Sequence, residues 1–321
     1  MRAAPVAEHA PDAAFTPSLA PRPPAGPYAS LFGEVARFLA ENPQLSSPRS
    51  VADLWNLFRH RARSLDLDDF GFDEPAAREW WPLFEFLYSV WWRVEATGVE
   101  NVPGQGAGLV VGNHSGVLPY DGMMVKLAVW HEHPSRRECR MLALDMFALL
   151  PFLAPLLAKN GEVRASQENG ERLLRQGHLV GVFPEGVKGV GKPFKDRYKL
   201  ARFGRGGFVR LALRTGAPIV PCAIVGSEEI HPMIGRADFL GRPFGLPYFP
   251  LTPTWPWLGP LGLVPLPTKW SIDFADPVSL SQYGPEAADD PILVNRIAEE
   301  VRSTIQGMLD GRLARRRSVF F

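Results

Sequence analysis

Residues 109–122 read Leu-Val-Val-Gly-Asn-His-Ser-Gly-Val-Leu-Pro-Tyr-Asp-Gly, and the rest of the chain can be interpreted from them. The first three residues form an apolar run typical of a buried strand, and a polar cluster that includes Asn113 and His114 follows directly. A helix-like segment begins at Gly122. In open α/β sheets, sites lie at the carboxyl ends of the strands. We therefore expect His114 and Asp121 on a loop between a strand and a helix.

The same pattern of a strand followed by a helix continues along the chain. Further strands are predicted at 94–99, 140–143, 178–183, 218–225 and 270–274. Helices are predicted at 121–130, 167–176, 206–214 and 295–309. Strands that alternate with helices indicate an α/β fold, in which helices flank a mostly parallel sheet. We place this domain at residues 93–311.

Composition and charge exclude several classes of protein. With 321 residues and 46% hydrophobic content, the chain can bury a sizeable core. Its 35 basic and 34 acidic residues give a net charge of +1, so we expect no nucleic-acid binding through bulk charge. Cys139 and Cys222 are the two cysteines. Two cysteines cannot build a disulfide framework or a four-cysteine zinc site, which favours a reducing compartment.

The N-terminal part divides into two segments. Residues 1–27 are rich in Ala and Pro and lack the apolar core of a signal peptide, so we interpret them as a disordered leader. Residues 28–92 form a helical segment, with amphipathic helices predicted at 28–39 and 50–64 and a third helix over 76–94. Two interpretations of the third helix stay open: a core helix, or a helix in the membrane interface whose Arg93 reaches the headgroups. It carries Trp80, Trp81, Phe84, Phe86, Tyr88, Trp91 and Trp92.

Three further segments suggest a membrane surface. Residues 243–268 contain eight prolines and no charged residue, which excludes a continuous helix. This apolar arm either packs on the domain or lies on a bilayer, and we favour the bilayer because large apolar patches are rarely exposed without a partner. Residues 312–321 form a basic tail suited to anionic lipid. The apolar segment 147–158 is interrupted by prolines and is too short to span a bilayer. We expect a peripheral (monotopic) membrane protein on the cytoplasmic side.

His114 and Asp121 form the first candidate site. Histidine is the usual proton-transfer group near neutral pH, and a carboxylate can fix its tautomer and stabilise the imidazolium. Seven residues on a helix would separate the two by about 10.5 Å, so Gly116 and Pro119 must turn the chain back. Glu185 also follows a predicted strand, and parallel strands place it on the same edge of the sheet as His114.

A series of basic residues follows Glu185. It is either a solvated face or a patch that binds the phosphates of a carrier nucleotide or of lipid headgroups. Its members are Lys188, Lys192, Lys195, Arg197, Lys199, Arg202, Arg205, Arg210 and Arg214.

Two motifs do not predict the chemistry that they resemble. Gly186 to Lys192 fits the first part of a phosphate-loop pattern, but Pro193 stands where that pattern needs Ser or Thr for magnesium. His131-Glu132-His133 has no further ligand cluster nearby, so no metal site is expected. No Gly-x-Ser-x-Gly motif is present, which argues against a hydrolase of that class.

Four segments together resemble the motifs of the glycerolipid acyltransferase family, which includes the lysophosphatidic acid acyltransferases. They occur in the family's order over about residues 93–225, with a weaker similarity to residue 277. The segments are Asn113-His114 with the following Asp121, Gly161-Glu162-Val163-Arg164, Phe183-Pro184-Glu185-Gly186, and Ala217-Pro218-Ile219-Val220-Pro221.

The resemblance implies transfer of a fatty acyl group to a hydroxyl of a glycerolipid at a membrane surface. The donor is acyl-CoA or acyl carrier protein, which acts as co-substrate, and no resident cofactor or metal is expected. His114 is the implied general base and Asp121 orients it, without a covalent intermediate. Asn113 belongs to the first motif and is assigned to substrate binding. Positions that match the family's acceptor site are Arg164, Glu185, Gly186 and Lys188, and Pro218 and Pro221 match the motif near the acyl chain.

Two departures from the family pattern bear on the substrate. The usual spacing is His-x4-Asp, whereas this chain has His-x6-Asp, which resembles a divergent branch closer to neutral-glycerolipid acyltransferases. Val187 and Lys188 stand where the third motif normally continues with Thr or Ser and then Arg. The acceptor therefore stays open between a phosphate-bearing lysolipid and an uncharged mono- or diacylglycerol. A second hypothesis is a non-catalytic lipid-binding protein with the same architecture.

Overall fold

The centre of the protein is a seven-stranded sheet. The computed structural model describes residues 68–114, 120–143, 159–241 and 248–321, together with Arg37 and Ala40. The strands are β1 (Glu95–Thr97), β2 (Gly108–Gly112), β3 (Cys139–Ala143), β4 (Val163–Arg164), β5 (Leu179–Val182), β6 (Ile219–Val225) and β9 (Ser271–Phe274). Their order in the sheet is β1-β9-β6-β2-β5-β3-β4. All neighbours are parallel except β6 and β9, which confirms the predicted mostly parallel α/β fold.

Helices cover both faces of this sheet. They are α1 (Glu74–Phe86), α2 (Tyr120–Glu132), α3 (Gln167–Arg175), α4 (Val187–Val190), α5 (Gly207–Thr215), α6 (Asp238–Gly241) and α7 (Pro291–Arg315). Side chains alternate across a strand. Leu109 and Val111 of β2 accordingly pack on the face with α3, α5 and α7. Val110 packs on the other face, with α2 and the end of the N-terminal segment. Helices predicted at 28–39 and 50–64, the leader 1–27 and the segment 147–158 lie outside the described residues, apart from Arg37.

The aromatic segment is part of the core. Trp80, Tyr88 and Trp92 are buried, and Trp92 stacks on Trp270 with ring centroids 4.6 Å apart. Arg93 does not extend toward headgroups, because its guanidinium donates to backbone carbonyls that include those of Pro267 and Phe320. The core interpretation of this segment is therefore correct and the interfacial one is wrong. The helix itself is shorter than predicted, since α1 ends at Phe86 and a π-helical turn, Leu87–Trp91, follows it.

The described part of the arm, residues 248–268, packs its base on the domain and exposes its tip. Strands β7 (Gly235–Ala237) and β8 (Phe249–Leu251) form an antiparallel pair, and a 3-10 helix, Gly259–Leu263, follows. The indole N–H groups of Trp91 and Trp92 donate to the carbonyls of Pro265 and Leu266 at the arm's base. Five apolar residues between these contacts are exposed: Trp257, Leu258, Leu261, Leu263 and Val264. We call these five residues the apolar tip.

The predicted basic tail is not a separate segment. Helix α7 begins earlier than predicted, because Asp290 caps it by accepting the N–H groups of Ile292 and Leu293. It also continues to Arg315, so the first arginines of the tail are helical. Arg312 pairs with Asp273 and Arg316 with Glu229, so these two guanidinium groups stabilise the fold. Within the described residues, no helix combines the length and apolar composition needed to cross a membrane.

Candidate active site

His114 and Asp121 meet at the carboxyl end of β2. Residue 114 follows the strand after Asn113, and Asp121 lies in the first turn of α2. Their side chains are in contact, with His114 Nδ1 2.7 Å from Asp121 Oδ2. The two side chains thus meet despite the seven-residue spacing; Gly116 and Pro119, the predicted turn residues, lie outside the described residues. Both side chains are buried, and 8% of the His114 side chain is exposed.

The Asp121 carboxylate orients the imidazole of His114. Its second oxygen, Oδ1, accepts the N–H of Gly122 at 2.9 Å, so the carboxylate is held from both sides. A carboxylate that faces Nδ1 favours the tautomer with a proton on Nδ1 and a lone pair on Nε2. Nε2 makes no hydrogen bond to any residue that the structure describes. This nitrogen can therefore accept a proton from a substrate.

Phe183 and Glu185 follow the neighbouring strand β5, and both contact His114. The Phe183 ring stacks on the imidazole with centroids 4.9 Å apart and planes 14° from parallel. The Glu185 carboxylate accepts the backbone N–H of His114 through Oε1 at 3.1 Å. Its other oxygen, Oε2, accepts the N–H of Ala201 at 2.7 Å. Glu185 thus shares the edge with His114, as the parallel sheet predicts, and both its oxygens bind groups of the protein.

Lys192 and Glu228 extend this buried cluster. The Lys192 ammonium lies 3.2 Å from Glu185 Oε2 and 3.3 Å from Glu228 Oε1. Glu228 belongs to the 3-10 helix after β6 and accepts the N–H of Tyr198 at 3.1 Å. Burial raises the pKa of Glu228 to about 7, and Glu185 adds to this shift, whereas Lys192 and the Tyr198 N–H oppose it. One ammonium group therefore lies between two buried carboxyl groups, and one of these, Glu185, contacts His114.

Asn113 anchors the carboxyl end of β2 instead of facing a ligand. Its amide nitrogen donates to the Ile224 carbonyl at 3.0 Å, and its amide oxygen accepts the Ile224 N–H at 2.7 Å. The residue is fully buried. This pair of bonds replaces the next step of the ladder between β2 and β6. The assignment of Asn113 to substrate binding is therefore corrected, because its amide holds the end of β2 in place.

Three of the predicted acceptor residues lie at the same edge of the sheet. Gly186 has φ +56° and forms the tight turn after Glu185. Lys188 is exposed on α4, immediately beyond that turn. Arg164 ends β4, which lies three strands from β2, and its side chain is exposed. The parallel strands thus bring these residues to one edge, with Arg164 at its margin.

Pro218 and Pro221 are not at this edge. Leu109 pairs with Ile219 and Val111 with Pro221, so Pro218 precedes the amino end of β6. Ile224 contacts Asn113, and a strand rises about 3.3 Å per residue, which puts Pro218 about 20 Å and Pro221 about 10 Å below the site. Pro221 is buried within the sheet, where its carbonyl accepts the N–H of Ala275. The two prolines thus serve the strand, and the structure does not bring them to His114.

Sequence reasoning missed three contributors to the site. Phe183 belongs to the third motif, but its contact with the imidazole depends on the register of β5 against β2. Lys192 is one of nine basic residues after Glu185, and residue type alone does not distinguish it from the others. For Glu228 the available signal is the acidic pair Glu228-Glu229, which follows the apolar strand β6 after two residues.

Metal and thiol chemistry find no support in the described residues. These residues contain no cluster of three His, Cys, Asp or Glu side chains able to hold a metal ion. His131 pairs with Glu85 at 2.6 Å, and His133 contacts the Val102 carbonyl at 3.0 Å. Burial raises the pKa of Cys139 to about 12 and that of Cys222 well above its usual value. Neither sulfur is therefore a thiolate near neutral pH.

Comparison with known proteins identifies similar sequences. A family model described as Acyltransferase matches residues 93–225. An uncharacterized protein of Mycobacterium tuberculosis (strain ATCC 25618 / H37Rv) is 52% identical over 259 residues, which are 79% of this chain and 72% of that protein. An uncharacterized protein of Mycobacterium leprae is 48% identical over 286 residues, which are 88% of this chain and 77% of that protein.

Two further proteins resemble the chain more distantly. The human "DGAT1/2-independent enzyme synthesizing storage lipids" is 25% identical over 227 residues, which are 69% of this chain and 62% of that protein. The crystal structure of a 1-acyl-sn-glycerophosphate (LPA) acyltransferase from Thermotoga maritima aligns with a TM-score of 0.49 at 17% identity. That alignment covers 90% of this chain and 98% of the other, but its score is too low to bear on function.

Proposed function

The chain belongs to the acyltransferase family, and we propose that it transfers a fatty acyl group from a thioester to a hydroxyl group of a glycerolipid. The observation that carries this proposal is the contact of His114 Nδ1 with Asp121 Oδ2 at 2.7 Å, which leaves Nε2 available to a substrate. An imidazole in this state suits deprotonation of an alcohol near neutral pH. A merely lipid-binding protein would not need it.

In the proposed reaction, His114 Nε2 takes the proton of the acceptor hydroxyl as its oxygen attacks the thioester carbonyl. The tetrahedral intermediate then collapses, the C–S bond breaks, and the imidazolium returns the proton to the departing thiolate. Asp121 stabilises the imidazolium throughout, because its carboxylate already faces Nδ1. A thiol with a pKa of about 8.5 is a good leaving group, so no covalent enzyme intermediate is needed.

The donor in this proposal is acyl-CoA or acyl carrier protein. Four basic residues on α4 and between α4 and α5 are exposed and form no ion pair with any described residue: Lys188, Lys195, Arg202 and Arg205. Such residues can attract either the phosphates of coenzyme A or the phosphopantetheine and acidic surface of a carrier protein. Parallel assays with the two donors would separate these cases.

For the acceptor we propose an uncharged glycerolipid. Lys192 is the cation nearest to Glu185 among the described residues, and it is surrounded by acceptors of the protein itself. The carboxyl groups of Asp121 and Glu185 contact His114, and that of Glu228 contacts Lys192 beside them. These carboxyl groups would repel a phosphate monoester. The similarity to an enzyme named for storage-lipid synthesis agrees with this choice.

Membrane association is the third part of the proposal. The five residues of the apolar tip are exposed, and residues 243–268 carry no charge that would resist entry into a bilayer surface. The tip includes a tryptophan, a residue type that favours the membrane interface. We propose that the apolar tip contacts the bilayer from which the acceptor is drawn.

A thiol-release assay with acyl-CoA and a panel of glycerolipids tests the proposal. We expect release that depends on a mono- or diacylglycerol and that falls to background in His114→Ala. His178→Ala is a matched control, because His178 precedes β5 at the opposite end of the sheet. Activity that survives in His114→Ala with the fold intact would exclude His114 as the base.

Lys188→Ala separates the two acceptor classes. Lys188 is the exposed cation that directly follows the Glu185-Gly186 turn. With an uncharged acceptor we expect KM for that acceptor to change less than about threefold, since an exposed charge contributes little without a charged partner. A preference for lysophosphatidate, together with a large rise of its KM in Lys188→Ala, would replace the neutral acceptor by a phosphate-bearing one.

A further inference from the structure

Lys192 lies between two buried carboxyl groups, and oxygen atoms of the protein surround its ammonium. The ammonium forms an ion pair with Glu185 Oε2 at 3.2 Å. It donates hydrogen bonds to Glu228 Oε1 at 3.3 Å and to the Lys199 carbonyl at 3.2 Å. Only 10% of the side chain is exposed. Lys192 is therefore a bridge inside the protein and not a ligand-binding cation.

The bridge reaches His114 through Glu185. Oε2 of the Glu185 carboxylate forms the ion pair with Lys192 and accepts the Ala201 N–H, and Oε1 accepts the His114 backbone N–H. Rotation of this carboxylate would break the bond to His114. Because the imidazole of His114 is attached to that backbone, the orientation of Glu185 bears on the position of Nε2.

Without Lys192, the two carboxyl groups would lack their shared cation. The side chain of Glu185 is fully buried and that of Glu228 is 5% exposed. Removal of one partner from a buried ionic cluster leaves the others uncompensated, which costs more than the loss of a surface pair. Glu185 would then turn away from Glu228, and this rotation weakens its contact with His114.

We propose that Lys192 is a positioning residue for acyl transfer, which fixes the Glu185 carboxylate and through it the backbone of His114. Glu228 in turn holds Lys192 in place. This inference rests on the proposed function, since it assigns Lys192 a part in the reaction that His114 carries out. It also makes a geometric claim that can be tested without any substrate.

The experiment compares Lys192→Met, Lys192→Arg and the double variant Lys192→Met/Glu228→Gln with the wild-type protein. Arg175→Met is the matched control, because it removes a basic residue whose ion pair with Glu171 is on the surface. Three quantities are measured: kcat and KM for acyl transfer, the free energy of unfolding, and the low-field ¹H NMR signal of the Nδ1 proton between His114 and Asp121. Loss of that signal in His114→Ala assigns it.

We expect Lys192→Met to lower kcat about 100-fold, the effect of a displacement of about 1 Å in a reacting group, and to broaden or shift the Nδ1 signal. KM should change much less. In the double variant, the change Glu228→Gln removes one uncompensated carboxylate, so stability should return while kcat stays low. Lys192→Arg should recover part of kcat because it keeps the charge, and Arg175→Met should behave as wild type.

Three results would overturn the inference. The first is a kcat for Lys192→Met within threefold of wild type. The second is a double variant that regains kcat together with stability, which would limit Lys192 to charge compensation. The third is an Nδ1 proton signal that does not change in Lys192→Met. This signal does not depend on activity, so it tests the inference even if the wild-type protein shows no acyl transfer. If Lys192→Met does not fold, the double variant and Lys192→Arg decide by the same measurements.

Discussion

At the scale of single residues, the contact between His114 and Asp121 depends on how α2 begins. Asp121 lies in the first turn of this helix, where the unpaired N–H groups and the helix dipole favour a carboxylate. The same carboxylate receives the Gly122 N–H and faces the His114 ring. The group that orients the imidazole is thus itself held by the backbone, so its removal should affect both tautomer and position.

Asp121→Asn tests this arrangement. An amide in place of the carboxylate no longer stabilises the imidazolium and can select the wrong tautomer, so we expect kcat to fall about 10²- to 10⁴-fold, the usual contribution of general acid–base catalysis. Asp276→Asn is the control, since Asp276 is exposed beyond β9. Steady-state kinetics of the two variants provide the comparison. Equal activity of Asp121→Asn and wild type would remove Asp121 from the mechanism.

Glu228 makes stability depend on pH in a direction opposite to that of most carboxylates. Its pKa is raised from 4.5 to about 7 by burial, so the folded protein binds a proton that the unfolded chain releases in this range. Burial of the charged Glu228 carboxylate lowers the free energy of unfolding. This loss is absent below pH 4.5, grows as pH rises, and is complete above pH 7. We expect Glu228→Gln to lose this dependence.

Chemical denaturation of wild type and Glu228→Gln at pH 5.5 and pH 8 measures the effect. At each pH, the free energy of unfolding of wild type is subtracted from that of Glu228→Gln. This difference should be about 1 to 3 kcal/mol larger at pH 8 than at pH 5.5, since one pKa unit corresponds to about 1.4 kcal/mol. Glu300→Gln, an exposed carboxylate on α7, should show no such change. A difference that stays constant with pH would contradict the shifted pKa.

Sequence reasoning succeeded for the residues whose neighbours are close in sequence. The pairing of His114 with Asp121 follows from seven residues and one turn. The roles of Asn113 and Glu185 could not be predicted, because they depend on which backbone groups of β6 and of the loop before Ala201 lie opposite them. Register between strands distant in sequence fixes those contacts, and residue type alone does not contain it.

At the scale of secondary structure, periodicity predicted the elements and left their arrangement open. The strand predicted at 218–225 is observed as Ile219–Val225, and the helix predicted at 206–214 as Gly207–Thr215. The strand predicted at 270–274 is observed as β9, but its place between β1 and β6 and its antiparallel pairing with β6 do not follow from the sequence, because an apolar run carries no sign of its direction. The same limit applies to the motif that contains Pro218. The motif includes β6, but Pro218 itself lies at the amino end of that strand, away from His114.

Helix α4 supplies a test of packing at this scale. A Cβ atom on Gly189 would lie 2.8 Å from Glu185 Cβ and 3.0 Å from both Cβ and O of His114. Gly189→Ala should therefore push α4 away from His114, with a loss of about 1 to 3 kcal/mol in the free energy of unfolding. It should also lower kcat about tenfold, in line with the cost of misplacing a reacting group.

Gly307→Ala is the matched control for that variant. Gly307 lies within α7, and nothing lies within 4 Å of an added Cβ. Alanine is preferred over glycine in a helix interior by about 1 kcal/mol, so this variant should be more stable than wild type and equally active. Thermal denaturation and the thiol-release assay distinguish the two substitutions. A Gly189→Ala protein as stable and active as Gly307→Ala would show that α4 does not support the site.

At the scale of the whole molecule, two groups of aromatic residues have different fates. Those of the segment around Trp80 and Trp92 complete the core on one face of the sheet. The aromatic residues of the arm differ in burial even where they are close in sequence. Trp255 packs on Phe249 with ring centroids 5.6 Å apart, whereas 69% of Trp257 is exposed. Composition alone could not separate these groups, since both are rich in Trp and apolar residues.

Trp257→Ser tests whether the apolar tip binds a bilayer. Burial of a large apolar side chain is worth about 1.5 to 3 kcal/mol, so loss of this indole should weaken sedimentation with phosphatidylcholine vesicles roughly tenfold or more, with the free energy of unfolding unchanged. Ile292→Ser is the control, because Ile292 is 81% exposed on α7, outside the arm. Trp255→Ser should instead lower stability, since its ring is packed. If Trp257→Ser and Ile292→Ser bind vesicles as wild type does, the exposed tip has another partner, and the acceptor must reach His114 by a route that does not involve this part of the arm.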